Sequence, residues 1–106
     1  MTLFHKATKI ILVVERLLRD KVIAIVETEG AKGYTVTEGT GKGQHGLHGS
    51  DRPSIAQGFN IVRIEVIVAD RAAAERIAEA VAGRYFKDYS GIVYMDQVEV
   101  LRPDKF

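Results

Sequence analysis

Cysteine is absent from the 106 residues, which excludes a disulfide framework, a thiolate metal site and a cysteine nucleophile. An excess of one charge is missing too: fifteen Lys and Arg against fourteen Asp and Glu leave a formal net charge of +1. Coating of nucleic acid needs a basic face, so this balance argues against a nucleic-acid partner. No apolar run reaches the length of a membrane span. Met1 to Lys9 shows no signal-peptide pattern, and the expected location is the cytoplasm. What remains is a chain with 46% apolar and 27% charged residues, the composition of one ordinary globular domain over residues 1–106.

Six of the ten glycines and one of the two prolines fall between Glu38 and Gly58. That stretch holds almost no apolar side chains and separates two runs that read as strands. A segment of this length without structure of its own is uncommon inside a domain, and is usually functional or disordered. Before it, Lys9 to Val14 is a continuous aliphatic run, expected as a strand buried on both faces. From Arg16 to Glu29 the period changes, with Leu18, Val22, Ile25 and Glu29 on one side of a helix and Gly30 as its stop. Tyr34 to Thr37 favours a second strand. After the glycines, Phe59 to Val68 alternates: Ile61, Arg63 and Glu65 point one way, Val62, Ile64 and Val66 the other. Asp70 is an N-cap for a helix over Arg71 to Phe86, with Ala73, Ile77, Ala80, Val81 and Arg84 or Tyr85 as its stripe. Asp88 to Gly91 turns the chain into an interrupted last strand, Ile92–Met95 and Val98–Leu101. The order β-α-β-β-α-β predicts an α+β, ferredoxin-like sandwich with both helices on one sheet face. Val and Ile on the other face predict that it is covered by oligomerisation.

The chemistry legible from residue types alone is sparse. Gly41-Lys-Gly-Gln-His-Gly46 matches a dinucleotide fingerprint, but Leu47 to Pro53 cannot open the helix that the fingerprint requires. Lys42 lacks the following Ser or Thr of a phosphate-binding P-loop. Two readings stay open: an anion nest of glycine amides with Lys42 beside it, or a hairpin loop with a solvated lysine. His45 and His48, with Asp51, are a poor metal set, and no metal site is assigned. Arg63 and Glu65 form either a surface ion-pair row or a polar wall at a subunit cleft. Tyr85, Phe86, Tyr89 and Tyr94 either stack on a base or close a core. No catalytic constellation can be placed.

Gly33-Tyr-Thr-Val-Thr-Glu38 followed by Gly41-Lys-Gly43 resembles the second strand and T-loop base of PII signalling proteins. Gly30-Ala-Lys-Gly-Tyr-Thr-Val36, with Arg84-Tyr-Phe-Lys-Asp-Tyr-Ser-Gly-Ile-Val-Tyr94, is similar to the SbtB group, PII-like partners of the cyanobacterial bicarbonate transporter SbtA. The resemblance runs from Lys9 to Leu101. It implies a homotrimer whose sheets line the centre, and adenine nucleotides (cyclic AMP, AMP, ADP or ATP) in clefts between subunits, with Mg²⁺ or Ca²⁺ joining ATP. It implies a T-loop at about 39–58, with Gly41, Lys42, Gly43 and Gln44 at its base. Tyr89, Ser90, Gly91, Ile92 and Val93 would belong to the B-loop and its continuation, recognising the adenine. A neighbouring subunit would supply Gly33, Tyr34, Thr35 and Val36, and Glu65 would reach the base or sugar.

Docking on SbtA, and with it peripheral membrane association, would fall to Gln44, His45, Leu47, His48, Asp51 and Arg52. The resemblance thus implies a non-enzymatic regulator of bicarbonate uptake in the CO2-concentrating mechanism. The alternatives are a slow ATP and ADP hydrolase of the same fold, or a CutA-like trimer without nucleotide sensing. Three departures from the pattern are visible. His45 and His48 stand where relatives often carry arginine, which would make phosphate contacts weaker and pH-sensitive. The loop has no tyrosine to be uridylylated, and the cysteine pair that ends some SbtB chains is missing.

Overall fold

The structure, a computed structural model, describes residues 3–41 and 60–106. Its first strand, β1 (His5–Glu15), contains the aliphatic run expected to be buried twice over, and the sheet order explains why. With strands β2 (Thr35–Gly39), β3 (Ile61–Val68) and β4 (Gly91–Val100), the order is β2-β3-β1-β4, so β1 lies inside the sheet with a partner on each side. All three pairings are antiparallel. Helices α1 (Arg19–Thr28) and α2 (Arg71–Tyr85) complete the ferredoxin-like arrangement.

One core forms between the helices and the sheet. Ile10, Leu12 and Val14 from β1, and Val62, Ile64, Val66 and Val68 from β3, meet Leu18, Val22, Ile25 and Val26 and, from α2, Ala74, Ile77 and Val81. Each fully buried aliphatic side chain among them stabilises the fold by roughly 1.5–3 kcal/mol relative to exposure. The alternation expected for β3 holds: Val62, Ile64 and Val66 are buried, while Ile61, Arg63 and Glu65 are half-exposed on the other face.

Several boundaries differ from expectation for physical reasons. Arg16–Leu18 is a 3-10 turn, and the α-helix begins only at Arg19. Glu29 does not continue the apolar stripe; its Oε1 accepts from Arg76 Nε of α2 at 2.9 Å. Gly30 is the expected stop, at φ +92°, a conformation in which a side chain would be strained. Asp70 caps α2 as expected, accepting from Ala72 N at 3.0 Å. The buried stripe of α2 is Ala74-Ile77-Val81, spaced three and four apart. Ala73, Ala80 and Tyr85 flank it, while Arg84 is exposed. Tyr34 precedes β2, which starts at Thr35. The last strand is not interrupted: Asp96 and Gln97 pair with Lys9 and Thr8 within a continuous β4. An edge strand with a solvated face tolerates such polar residues.

The sheet's second face is open in the single chain. Ile92 and Tyr94 are 58% and 47% exposed there. Ile11, on the same face, is nonetheless fully buried. Cross-strand register puts it between Glu65 and Tyr94. Arg63 binds Glu65 Oε1 at 3.2 Å and lies close enough to Tyr94 for the phenol to act on its guanidinium. Tyr94 first, then Glu65, raises the pKa of the guanidinium further above its ordinary value.

Candidate functional site

The end of α2 builds the turn that leads into β4. Phe86 N donates to Ala82 O at 3.1 Å, and both Asp88 N and Tyr89 N return to Tyr85 O, at 3.1 and 2.8 Å. The Tyr85 and Tyr89 rings meet edge to face with centroids 6.4 Å apart. Together with Phe86 they pack against the core, so these three aromatics close the fold and do not form an open stacking platform. Tyr94 lies apart from them, on the open sheet face with Arg63. Gly91 is required by close approach: a Cβ there would lie 2.5 Å from Phe86 Cε1.

Beneath this turn is Glu15, the last residue of β1 and the one ionisable side chain buried among the described residues, at 5% exposure. Its Oε2 accepts the Ser90 amide hydrogen at 2.6 Å. A buried carboxylate is costly unless hydrogen-bonded, and the charge strengthens the bond that it makes.

The base of the glycine-rich loop is fixed at the same end of the sheet. Asn60 N donates to Gly39 O at 3.1 Å, and Arg16 N donates to Asn60 O at 3.0 Å. The Asn60 side chain bonds Gly41 at both ends of its peptide groups: Gly41 N donates to Oδ1 at 3.1 Å, and Nδ2 donates to Gly41 O at 3.0 Å. The chain entering the loop and the chain leaving it are thus clipped together.

Of the residues singled out in the sequence, Ser90, Gly91 and Gly41 fall at this one end. Ile92 and Val93 continue from it on opposite faces, Ile92 on the open face and Val93 against the core. Thr35 is brought beside Glu65 by strand register, at the far end of β2 from Gly39. Strands β3 and β1 separate β2 from β4, a span of about 14 Å at the usual strand spacing of about 4.8 Å. Gly33, Tyr34, Thr35 and Val36 therefore do not share a cleft with Ser90 and Gly91 inside one chain. Lys42, Gly43, Gln44, His45, Leu47, His48, Asp51 and Arg52 lie outside the described residues.

Two residues of this site, Glu15 and Asn60, escaped the sequence reading. Glu15 fell between the expected strand ending at Val14 and the helical pattern starting at Arg16, and Asn60 was counted within the expected strand Phe59 to Val68. The available signal was weak: an asparagine next to a glycine-rich loop can satisfy backbone groups on both sides of it. Among the described residues, no three His, Asp or Glu cluster as metal ligands, and no helix is long and apolar enough to cross a membrane.

Comparison with known proteins gives this geometry a family. A PII-like signalling protein from Thermus thermophilus superposes with a TM-score of 0.78 at 31% identity, covering 97% of each chain. CPII from Thiomonas intermedia, in a structure with ADP and bicarbonate, gives a TM-score of 0.80 at 23% identity over 97% of this chain and 96% of that one. The apo form of CPII is similar, with a TM-score of 0.72 at 18% identity over 92% and 94%. The family model "Nitrogen regulatory protein P-II" matches residues 7–105. Nearly the whole chain, including both clipped loop ends, is accounted for by that match, and the chain belongs to the P-II family of regulatory proteins.

Proposed function

We propose that this chain is a non-enzymatic nucleotide sensor that acts as a homotrimer, binding adenine nucleotides in the clefts between its copies. One observation carries the reading. Ser90 and Gly91 lead into β4, one edge strand of the sheet, whereas Gly33–Val36 lead into and begin β2, the other edge strand, with β3 and β1 between them. In this reading a ligand that touches both edge groups lies between two copies, each supplying one of them. The open sheet face, with Ile92 and Tyr94 exposed, supports the same assembly.

Cyclic AMP, AMP, ADP and ATP are the proposed effectors, with Mg²⁺ or Ca²⁺ accompanying ATP; the ADP held by CPII supports the nucleotide class. In this reading Lys42 and the glycine amides of the T-loop base, Gly41 and Gly43, hold phosphate, Gln44 completes that base, and backbone groups of Tyr89–Val93 recognise the adenine. Ligand binding at the loop base shifts the T-loop between conformers by no more than its differential affinity for them. Residues Gln44, His45, Leu47, His48, Asp51 and Arg52 then dock on, or leave, the bicarbonate transporter SbtA. The protein works from the cytoplasm and is membrane-associated only while docked. A sensor fits better than a hydrolase, because the buried carboxylate at the site, Glu15, is engaged by the Ser90 amide.

Calorimetric titration with the four nucleotides, each with and without divalent cation and bicarbonate, tests the ligand. Binding near 1 μM, about −8 kcal/mol, at about one site per subunit is expected for at least one nucleotide. No heat from a folded trimer overturns the sensor reading. Retention on SbtA-containing membranes that changes with nucleotide tests the partner; no retention under any nucleotide condition removes the transporter.

A further inference from the structure

Glu15 and Asn60 connect two parts of the molecule that the proposed function uses separately. Starting from the B-loop, Ser90 N–H is held by the Glu15 carboxylate. The next peptide unit, at Arg16, donates to Asn60 O. Asn60 in turn bonds Gly39 through its backbone and Gly41 through both ends of its side-chain amide. An unbroken path of hydrogen bonds and one peptide link therefore runs from Ser90 to Gly41, across the end of the sheet. Glu15 is almost wholly buried, so releasing Ser90 would take a hydrogen bond from a carboxylate with little access to water. Asn60 cannot leave Gly41 without freeing a donor and an acceptor at once.

We propose that Glu15 and Asn60 are positioning residues that lock the B-loop and the base of the T-loop into one unit, so that displacement of either loop end is felt at the other. The coupling rests on the nucleotide reading only for its ligand readout, since the path exists in a chain without ligand. It has a direct consequence for binding. The Gly41 amide is already committed to Asn60 Oδ1, so a phosphate or base that takes this amide must first displace the Asn60 side chain. Asn60 then loosens on Arg16, and through Glu15 the support under Ser90 changes. A ligand that reaches the B-loop alone leaves the clip at Gly41 closed; one that reaches both opens it.

The test is site-resolved amide hydrogen exchange on the ligand-free protein, comparing wild type, Asn60→Ala, Glu15→Gln and the double variant. Asn60→Ala deletes only the side-chain clip to Gly41 and leaves the backbone donor and acceptor of residue 60 in place, so any loosening at Arg16 and Ser90 reports the coupling itself. It is expected to raise exchange at the Ser90 amide about tenfold, while the Ile64 and Val66 core amides stay protected. Glu15→Gln is expected to do the same at Gly41. The double variant should fall well short of the product of the two effects. Exchange that rises only at the bond each substitution removes, or effects that multiply, overturns the coupling. Should Glu15→Gln expose the core amides, the Ser90 amide in Asn60→Ala decides alone. ADP titration of the same set adds the ligand arm: both single variants weaken binding, and the double is no weaker than the worse single within about twofold. Wild type that fails to bind ADP counts against the nucleotide reading, whereas the exchange data judge the coupling independently.

Discussion

Replacing Gly91 by alanine is the most direct test of how the B-loop is packed. A Cβ at this position lies 2.5 Å from Phe86 Cε1, 2.9 Å from Cζ and 3.2 Å from Cδ1, so it meets the edge of the ring along its length. Carbon atoms in good contact are about 3.5–4.0 Å apart, which makes the overlap about 1 Å. Neither partner is free to retreat. Phe86 donates its backbone N–H to Ala82 O and packs against the core, while Gly91 is paired with Val14. Overpacking of this kind costs about 1–3 kcal/mol. For a domain of this size that is a fall in melting temperature of about 4–20 °C, measured against wild type at matched protein concentration. Phe86→Leu removes the ring edge and should recover much of the loss in the Gly91→Ala background. The double-mutant cycle should show a coupling of about 1 kcal/mol or more. An unchanged melting temperature in Gly91→Ala, or a strictly additive cycle, would refute the packing argument.

Other substitutions probe different levels of the structure. Asp70→Ala removes the carboxylate that caps α2 at Ala72 N and should lower stability by about 1 kcal/mol in a denaturant titration, with ADP binding unchanged. Ile64→Ala opens a cavity at a fully buried position of β3; a loss of about 2–5 kcal/mol is expected, seen as a lower denaturation midpoint without a change of slope. Lys42→Ala should weaken ATP and ADP more than cyclic AMP in calorimetry, because the lysine is assigned to phosphate; equal losses for every nucleotide would remove that role.

The fold was legible wherever side-chain pattern and backbone demand coincide. The aliphatic run in β1, the Asp70 cap and the Gly30 stop each have a local cause, and each stands where it was expected. The misreadings arose where tertiary context decides. Ala73 and Ala74 are indistinguishable until the direction of the core is known, and Asp96-Gln97 reads as a break until β4 is seen to be an edge strand. At the site, Gly41, Ser90 and Gly91 were named, but the residues that hold them were not. Glu15 is buried only because the turn at Ser90 folds over it, from a point 75 residues further along the chain. Asn60 matters because Gly41 returns to face it, and no periodicity records such an encounter.

The position of β1 also bears on how the protein is made. Of the four strands it is synthesised first, yet one of its two neighbours is β4, the last of them. His5 pairs with Val100 and Val14 with Gly91, so this ladder cannot begin to form until the C-terminal strand has been synthesised. Until then the helices can gather on β1 and β3, but β1 presents an unpaired edge rich in Ile, Leu and Val, the kind of edge that recruits other chains. A transcript broken before the codon for Gly91 would therefore yield a product with most of its core residues and a bare strand beside them, a species for chaperones or proteases to remove. Completion of the sheet waits for β4.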